Sequence, residues 1–160
     1  MNATQILDDS HLYVIQTLDD LNELEWDVPG VNGDWTTKDV VAHLATYEHL
    51  LLELLQNFDS RNQGETPYIT AFKQGQESFN KAQVEQRRYS TAQQVMDEYQ
   101  DTQTETSSLL AELPASELAK DGTVTLFGRP ESLNSTIQGF ANHTRTHCDR
   151  IRAFRQREHQ

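Results

Sequence analysis

Two histidines four residues apart, in the segment HTRTHCDR from His143 to Arg150, carry the clearest chemistry in this sequence. On a helix, residues with that spacing share one face, a turn apart. The neighbouring turns hold Ile137, Phe140, Ile151 and Phe154 at core spacing, which aims both imidazoles at an interior. A third, His43, stands three residues after Val40 and four before Tyr47 in another apolar seam. Three imidazoles in an apolar interior are costly to leave unpaired, and one divalent cation would satisfy them together. The structural alternative is a set of hydrogen-bonded core histidines. The two readings part on whether the helices carrying His43 and the His143/His147 pair meet.

Other residues have both a chemical and a structural reading. Tyr47, one turn after His43, is placed to orient water or substrate, or to pack as an aromatic. Asp39, one turn before His43, is placed to accept the second imidazole N–H, or to serve as a first-turn acid facing the helix dipole. Arg150 suits an anionic substrate or a solvent salt bridge. His11 fits a first-helix seam between Leu7 and Val14, as a fourth ligand, an outer partner, or a core or rim histidine. His49 and His159 read as solvent residues. Cys148 adjoins His147, but adjacent helical residues point about 100° apart, so it reads as a buried, inert thiol. No nucleophile elbow, phosphate-cradling glycine loop or dinucleotide fingerprint is present.

Helices must position these residues. Leu7, Val14, Leu18 and Leu21 predict an amphipathic helix from Ile6 to about Glu25, stopped by the turn WDVPGVNGDW. Thr36 or Thr37 predicts the cap of a second helix, whose seam is Val40, Leu44, Tyr47, Leu51, Leu55 and Phe58. DSRNQGETP reads as an exposed connection, and YITAFKQGQESFNKAQVEQ as a shorter helix. Ser90 or Thr91 caps a third long run with Val95, Tyr99, Leu109, Leu110 and Leu113 on its buried face and Thr102 and Thr106 on the same seam. Residues Pro114 to Pro130 read as a long loop whose TVTLF either pairs as a short strand or lies over the helices. A last helix starts at Glu131 or Ser132 and runs into the basic RAFRQRE, which suits a helix C-terminus. The expected fold is all-α: an antiparallel four-helix bundle with long connections, in one domain over residues 1–160.

The bulk numbers agree. A 36% apolar chain with 4 prolines and 7 glycines has the composition of an ordinary helical globule. Thirteen Lys+Arg against 25 Asp+Glu give a formal charge of -12, which argues against nucleic acid, whose binding rests on cationic side chains. One cysteine, no secretory-type N-terminus and no long apolar run predict a cytoplasmic protein that does not enter a membrane.

The stretch GVNGDWTTKDVVAHLATYEHLLLELL is similar to the second-helix region of the DinB-like superfamily, and NHTRTHCDRIR resembles that superfamily's last-helix HxxxH pair. The resemblance covers most of the chain through its helix layout. It implies a metal site on His43, His143 and His147, and often a homodimer. GDWTTKDVVAHL and the FGRP segment are also similar to the ClbS/DfsB-related branch, whose ClbS-like members are metal-free.

Three neutral imidazoles leave a divalent metal, zinc or nickel, with an open position, as catalytic sites do. Such a site acidifies water, polarises a carbonyl or takes a low-molecular-weight thiol as thiolate. The expected function is therefore that of a metal-dependent hydrolase or thiol-dependent transferase or isomerase acting on a small molecule. Its rivals are a metal-free small-molecule-binding or resistance protein and an interaction module whose polar seam fixes helix register.

Overall fold

The computed structural model describes residues 2–58 and 64–159. It contains α1 (Ala3–Leu18), α2 (Thr37–Gln56), α3 (Pro67–Gln74), α4 (Gln76–Gln86), α5 (Ala92–Ala111), α6 (Ala115–Ala119) and α7 (Leu133–Glu158). Each long helix begins where a side chain replaces the missing backbone partners of its first turn. Asn2 accepts from Gln5 N, Thr36 and Asp39 form a capping box, Thr91 and Gln94 form another, and Ser132 accepts from Ser135 N. Caps of this kind stabilise a helix by about 1 kcal/mol each.

The four long helices make the bundle. α2 packs on α5 and α1 on α7, and contacts of α1 with α5 and α2 with α7 close the ring. Side-chain pairs give the directions. Tyr13 with Asp149, Thr17 with Arg152 and Asp20 with Arg155 ascend together, so α1 and α7 run parallel. Lys38 with Ser90 and His49 with Glu98 do the same for α2 and α5. The two pairs run antiparallel to each other, as Tyr47 against Phe140 and His43 against His147 require. This up-down-down-up order needs a long crossover between the parallel α2 and α5, and the segment holding α3 and α4 supplies it.

Two apolar clusters fill the interior. One gathers Leu50, Leu51, Leu55, Leu133, Ile137 and Phe140, the other Val14, Val40, Leu44, Val95, Tyr99 and Ile151. Truncating a fully buried member such as Leu44 or Ile151 would cost about 2–5 kcal/mol. Along both α2 and α7 the histidines fall at the junction of the clusters. The seam threonines are satisfied internally: Thr102 and Thr106 donate to the carbonyls of Glu98 and Thr102.

Several expected boundaries move. α1 stops at Leu18, short of Glu25, because Asn22 and Glu25 cap each other reciprocally and start a separate 3-10 turn, Glu25–Asp27. The single helix expected over 68–86 is two, broken at Gly75, whose φ of 157° suits glycine. The loop after Pro114 contains α6. TVTLF makes no strand; it lies over the bundle with Val124 and Leu126 buried, held by one antiparallel bridge between Val124 and Glu131. Of the expected connection DSRNQGETP, residues 59–63 lie outside the described residues.

Candidate metal centre

The antiparallel crossing of α2 and α7 brings His43, His143 and His147 together, the meeting of helices that their spacing left open. Their ring centroids lie 4.6–4.9 Å apart, edge to face. His143 Nε2 is 3.0 Å from His43 Nε2 and 3.2 Å from His147 Nε2. A cation at the usual Zn–N distance of about 2.0–2.1 Å holds tetrahedral ligand atoms about 3.3 Å apart, so the donor set fits a small divalent metal. The three Nδ1 atoms are buried with no hydrogen-bond partner from the protein. The imidazoles are thus oriented by packing rather than by a carboxylate behind them.

Burial keeps the cluster neutral. It pushes the His43 imidazole down to about 2, helped by the neighbouring His143, His147 and Arg150, and His143 down to about 3. His147 falls to about 4, through burial and then Arg150. Neutral imidazoles are the form that donates a lone pair to a metal. Arg150 is exposed and makes no ion pair among the described residues, so the solvent salt bridge expected for it is absent. Its charge adds, after burial, to the depression of all three histidines.

Aromatic rings wall the site. Tyr47 stacks on His143 at 4.2 Å and 18°, and Trp35 lies 5.3 Å from His43. Trp35 is placed by the turn before α2, where its carbonyl accepts from Gly30 N and Val31 N. The Tyr47 hydroxyl donates to Asn80 Oδ1 at 3.1 Å and accepts from Gln76 Nε2 at 3.3 Å, tying α2 to α4. On the outer side of His143 a cleft of about 250 Å³ opens between Tyr47, Gln76, Phe127, Gly139 and Phe140.

The remaining candidates separate. Asp39 is engaged in the Thr36 capping box and is no partner of His43. His11 is a half-buried rim residue, stacked on Tyr99 with Nδ1 3.4 Å from its hydroxyl, and lies outside the cluster. Cys148 is fully buried, and burial pushes its thiol up to about 11, as suits an inert thiol. His159 is exposed, but His49 is not the solvent residue expected. It stacks on Tyr68 and contacts Glu98, which also holds Arg87 through two nitrogens. Sequence reasoning missed Gln76, Asn80, Phe127 and Gly139, which come from α4, from the segment over the bundle and from the outer face of α7. None sits at a core repeat, so periodicity carried no signal for them.

A family model described as the DinB superfamily matches residues 7–151. Among solved structures, the chain is similar to a Streptococcus pneumoniae protein with TM-score 0.77 and 13% identity, over 98% of this chain and 91% of that one. It is also similar to a mutant of a mycothiol-dependent maleylpyruvate isomerase, with TM-score 0.68 and 9% identity, over 93% of this chain and 59% of that longer one. At these identities the likeness is one of fold. Among curated protein sequences none matches.

Proposed function

The chain belongs to the DinB superfamily, and on that premise we propose that it is a divalent-metal-dependent enzyme acting on a small molecule, as a hydrolase or a low-molecular-weight-thiol transferase or isomerase. One observation carries the reading: three neutral imidazoles turn their Nε2 atoms toward a common point. His43, His143 and His147 would hold zinc or nickel, both suited to imidazole nitrogen. When bound, the metal supplies a Lewis acid that makes a water or thiol more acidic and polarises a carbonyl. The thiol arm draws support from the mycothiol-dependent isomerase that shares the fold.

The chain's own residues supply position and field. Trp35 and Tyr47 fix the rings of His43 and His143 by contact and keep bulk water from that side. Arg150 places a positive charge near the cluster, where it attracts anions and stabilises negative charge that develops on a reacting group. Cobalt substitution separates the two arms. Adding a low-molecular-weight thiol to cobalt-loaded protein should produce a sulfur-to-cobalt charge-transfer band if the thiol arm holds. Loss of the d–d spectrum's sensitivity to thiol, with esterase activity retained, would leave hydrolysis.

A metal-free binding protein is the second reading, favoured by one observation. His143 Nε2 is also within hydrogen-bond reach of both partner nitrogens, so its single lone pair can accept an N–H from one of them without an ion. The three Nδ1 atoms lack a protein partner with or without a metal, so they favour neither reading, and metal titration separates the two.

A further inference from the structure

Gly139 stands one turn before His143 in the interior of α7, where glycine weakens a helix and needs a reason. Close packing is not the reason, because a Cβ added at Gly139 would meet nothing within 4 Å. Nor does a turn require it there. What the missing side chain leaves open is the floor of the cleft beside His143.

Another lining residue is Phe127, 43% exposed, which is unusual for so large an apolar ring. Its position is built. Gly128 N donates to Thr125 O to close a tight turn, Gly128 has φ 88°, and buried Val124 and Leu126 anchor the segment. Phe127 lies 5.5 Å from Phe140 and 5.8 Å from Phe72, so the wall is a continuous aromatic surface. Tyr47 and Phe140 continue it to His143. Among the described residues, no Asp, Glu, Lys or Arg lines the cleft. Its polar groups are neutral: the Gln76 amide, with donor and acceptor capacity beyond its bond to Tyr47, and the Tyr47 hydroxyl.

We infer that this cleft is a specificity pocket for an uncharged, single-ring or similarly flat portion of the substrate, with Gly139 as the residue that admits it and Phe127 as the face on which it stacks. The inference deepens the metal-enzyme reading and rests on it only in naming the reacting end, which would point past His143. The volume, about 250 Å³, lies just below the usual range for ligand sites and fits a flat group of one or two fused rings. A charged group there would be desolvated against aromatic walls without a counter-charge, so charge is selected against.

The test has two arms with separate readouts. In metal-stripped protein, fluorescence titration with 2-naphthol should saturate, with naphthalene-2-sulfonate bound at least tenfold more weakly. Gly139→Leu, which favours the helix and whose Cβ meets no neighbour, should weaken 2-naphthol at least tenfold, and Phe127→Ala several-fold. Equal 2-naphthol binding by parent and Gly139→Leu, no saturable binding by the parent, or preference for the sulfonate would overturn the proposal. In zinc-loaded protein, benzohydroxamate should bind at least tenfold more tightly than acetohydroxamate, and Gly139→Leu should erase that difference while leaving acetohydroxamate unchanged. If neither hydroxamate binds while 2-naphthol still does, the metal reading fails and the pocket stands.

Discussion

His143 Nε2 lies 3.0 Å from His43 Nε2, across a sequence separation of one hundred residues and the antiparallel seam of α2 and α7. Two neutral imidazoles at that distance, with a third 3.2 Å away, present lone pairs and at most a shared proton to one small volume. Their behaviour on acidification follows directly.

The metal-free protein loses stability as pH falls. The folded histidines titrate at about 2, 3 and 4, below the ordinary 6.5, so between about pH 6.5 and pH 4 the unfolded chain binds more protons. Their contribution is present above pH 6.5 and declines through that window, by up to about 1.4 kcal/mol per pH unit for each histidine. Urea denaturation of stripped protein at pH 7.5 and pH 5 measures it. His43→Gln should reduce the slope by about one proton; an unchanged slope would mean the cluster is hydrated and titrates normally.

Glu48 gives the opposite sign. It is buried in α2, its Oε2 has no partner, and burial pushes its carboxyl up to about 7 against the help of Thr106. Its folded value is raised, so the protonated form is favoured: stability is full below the ordinary carboxyl range near 4.5 and falls as pH rises through 7. Glu48→Gln should raise the melting temperature more at pH 8.5 than at pH 5. Equal gains at both would show that the carboxyl finds a partner when charged.

Tyr47 acts through its ring and its hydroxyl separately. Tyr47→Phe keeps the stack on His143 and loses the bonds to Asn80 and Gln76, for a cost of about 1 kcal/mol and unchanged zinc affinity. Tyr47→Ala removes a buried ring, with a cost of about 3–5 kcal/mol, and should weaken zinc because His143 loses its support. Denaturation together with zinc titration of both variants distinguishes these effects, and equal zinc affinities in the two would remove Tyr47 from the site.

The Arg87–Glu98 pair holds the crossover to the bundle. Glu98 accepts two bonds from Arg87, at 2.8 and 2.7 Å, and one contact from His49, and its carboxyl is held at about 2 by those partners against the burial that raises it. Glu98→Ala leaves the buried Arg87 with its bonds to Gln83 and Tyr68 but without a counter-charge, at a cost of about 3 kcal/mol. Hydrogen exchange should show α4 opening more readily in the variant, while α1 and α7 keep their protection.

The sequence disclosed those parts of the fold that repeat. α2, α5 and α7 were legible because a three-four apolar rhythm reports a buried face and because Thr36, Thr91 and Ser132 carry the chemistry that starts a helix. The inward positions of His43 and His147 were legible for the same reason, while the meeting of their two seams was implied by the family resemblance rather than by any period. The break at Gly75, the short α6 and the Asn22–Glu25 turn depend on single local interactions and leave no period to read. Asp39 had two acceptors' worth of possible work one turn before His43, and the backbone N–H of Thr36 claimed it. His49 looked solvated because its partner, Glu98, comes from another helix. The cleft was invisible because Gly139 and Phe127 are exposed residues far apart in sequence that line one cleft only in the folded chain.

Metal stoichiometry tests the central claim most directly. Protein stripped with chelator, incubated with zinc or nickel and passed through metal-free buffer should retain close to one equivalent, while His143→Ala/His147→Ala, folded by circular dichroism, should retain little. Absence of bound metal in the parent, or equal retention by the double variant, would contradict the three-histidine metal centre and leave the metal-free binding protein as the reading of this fold.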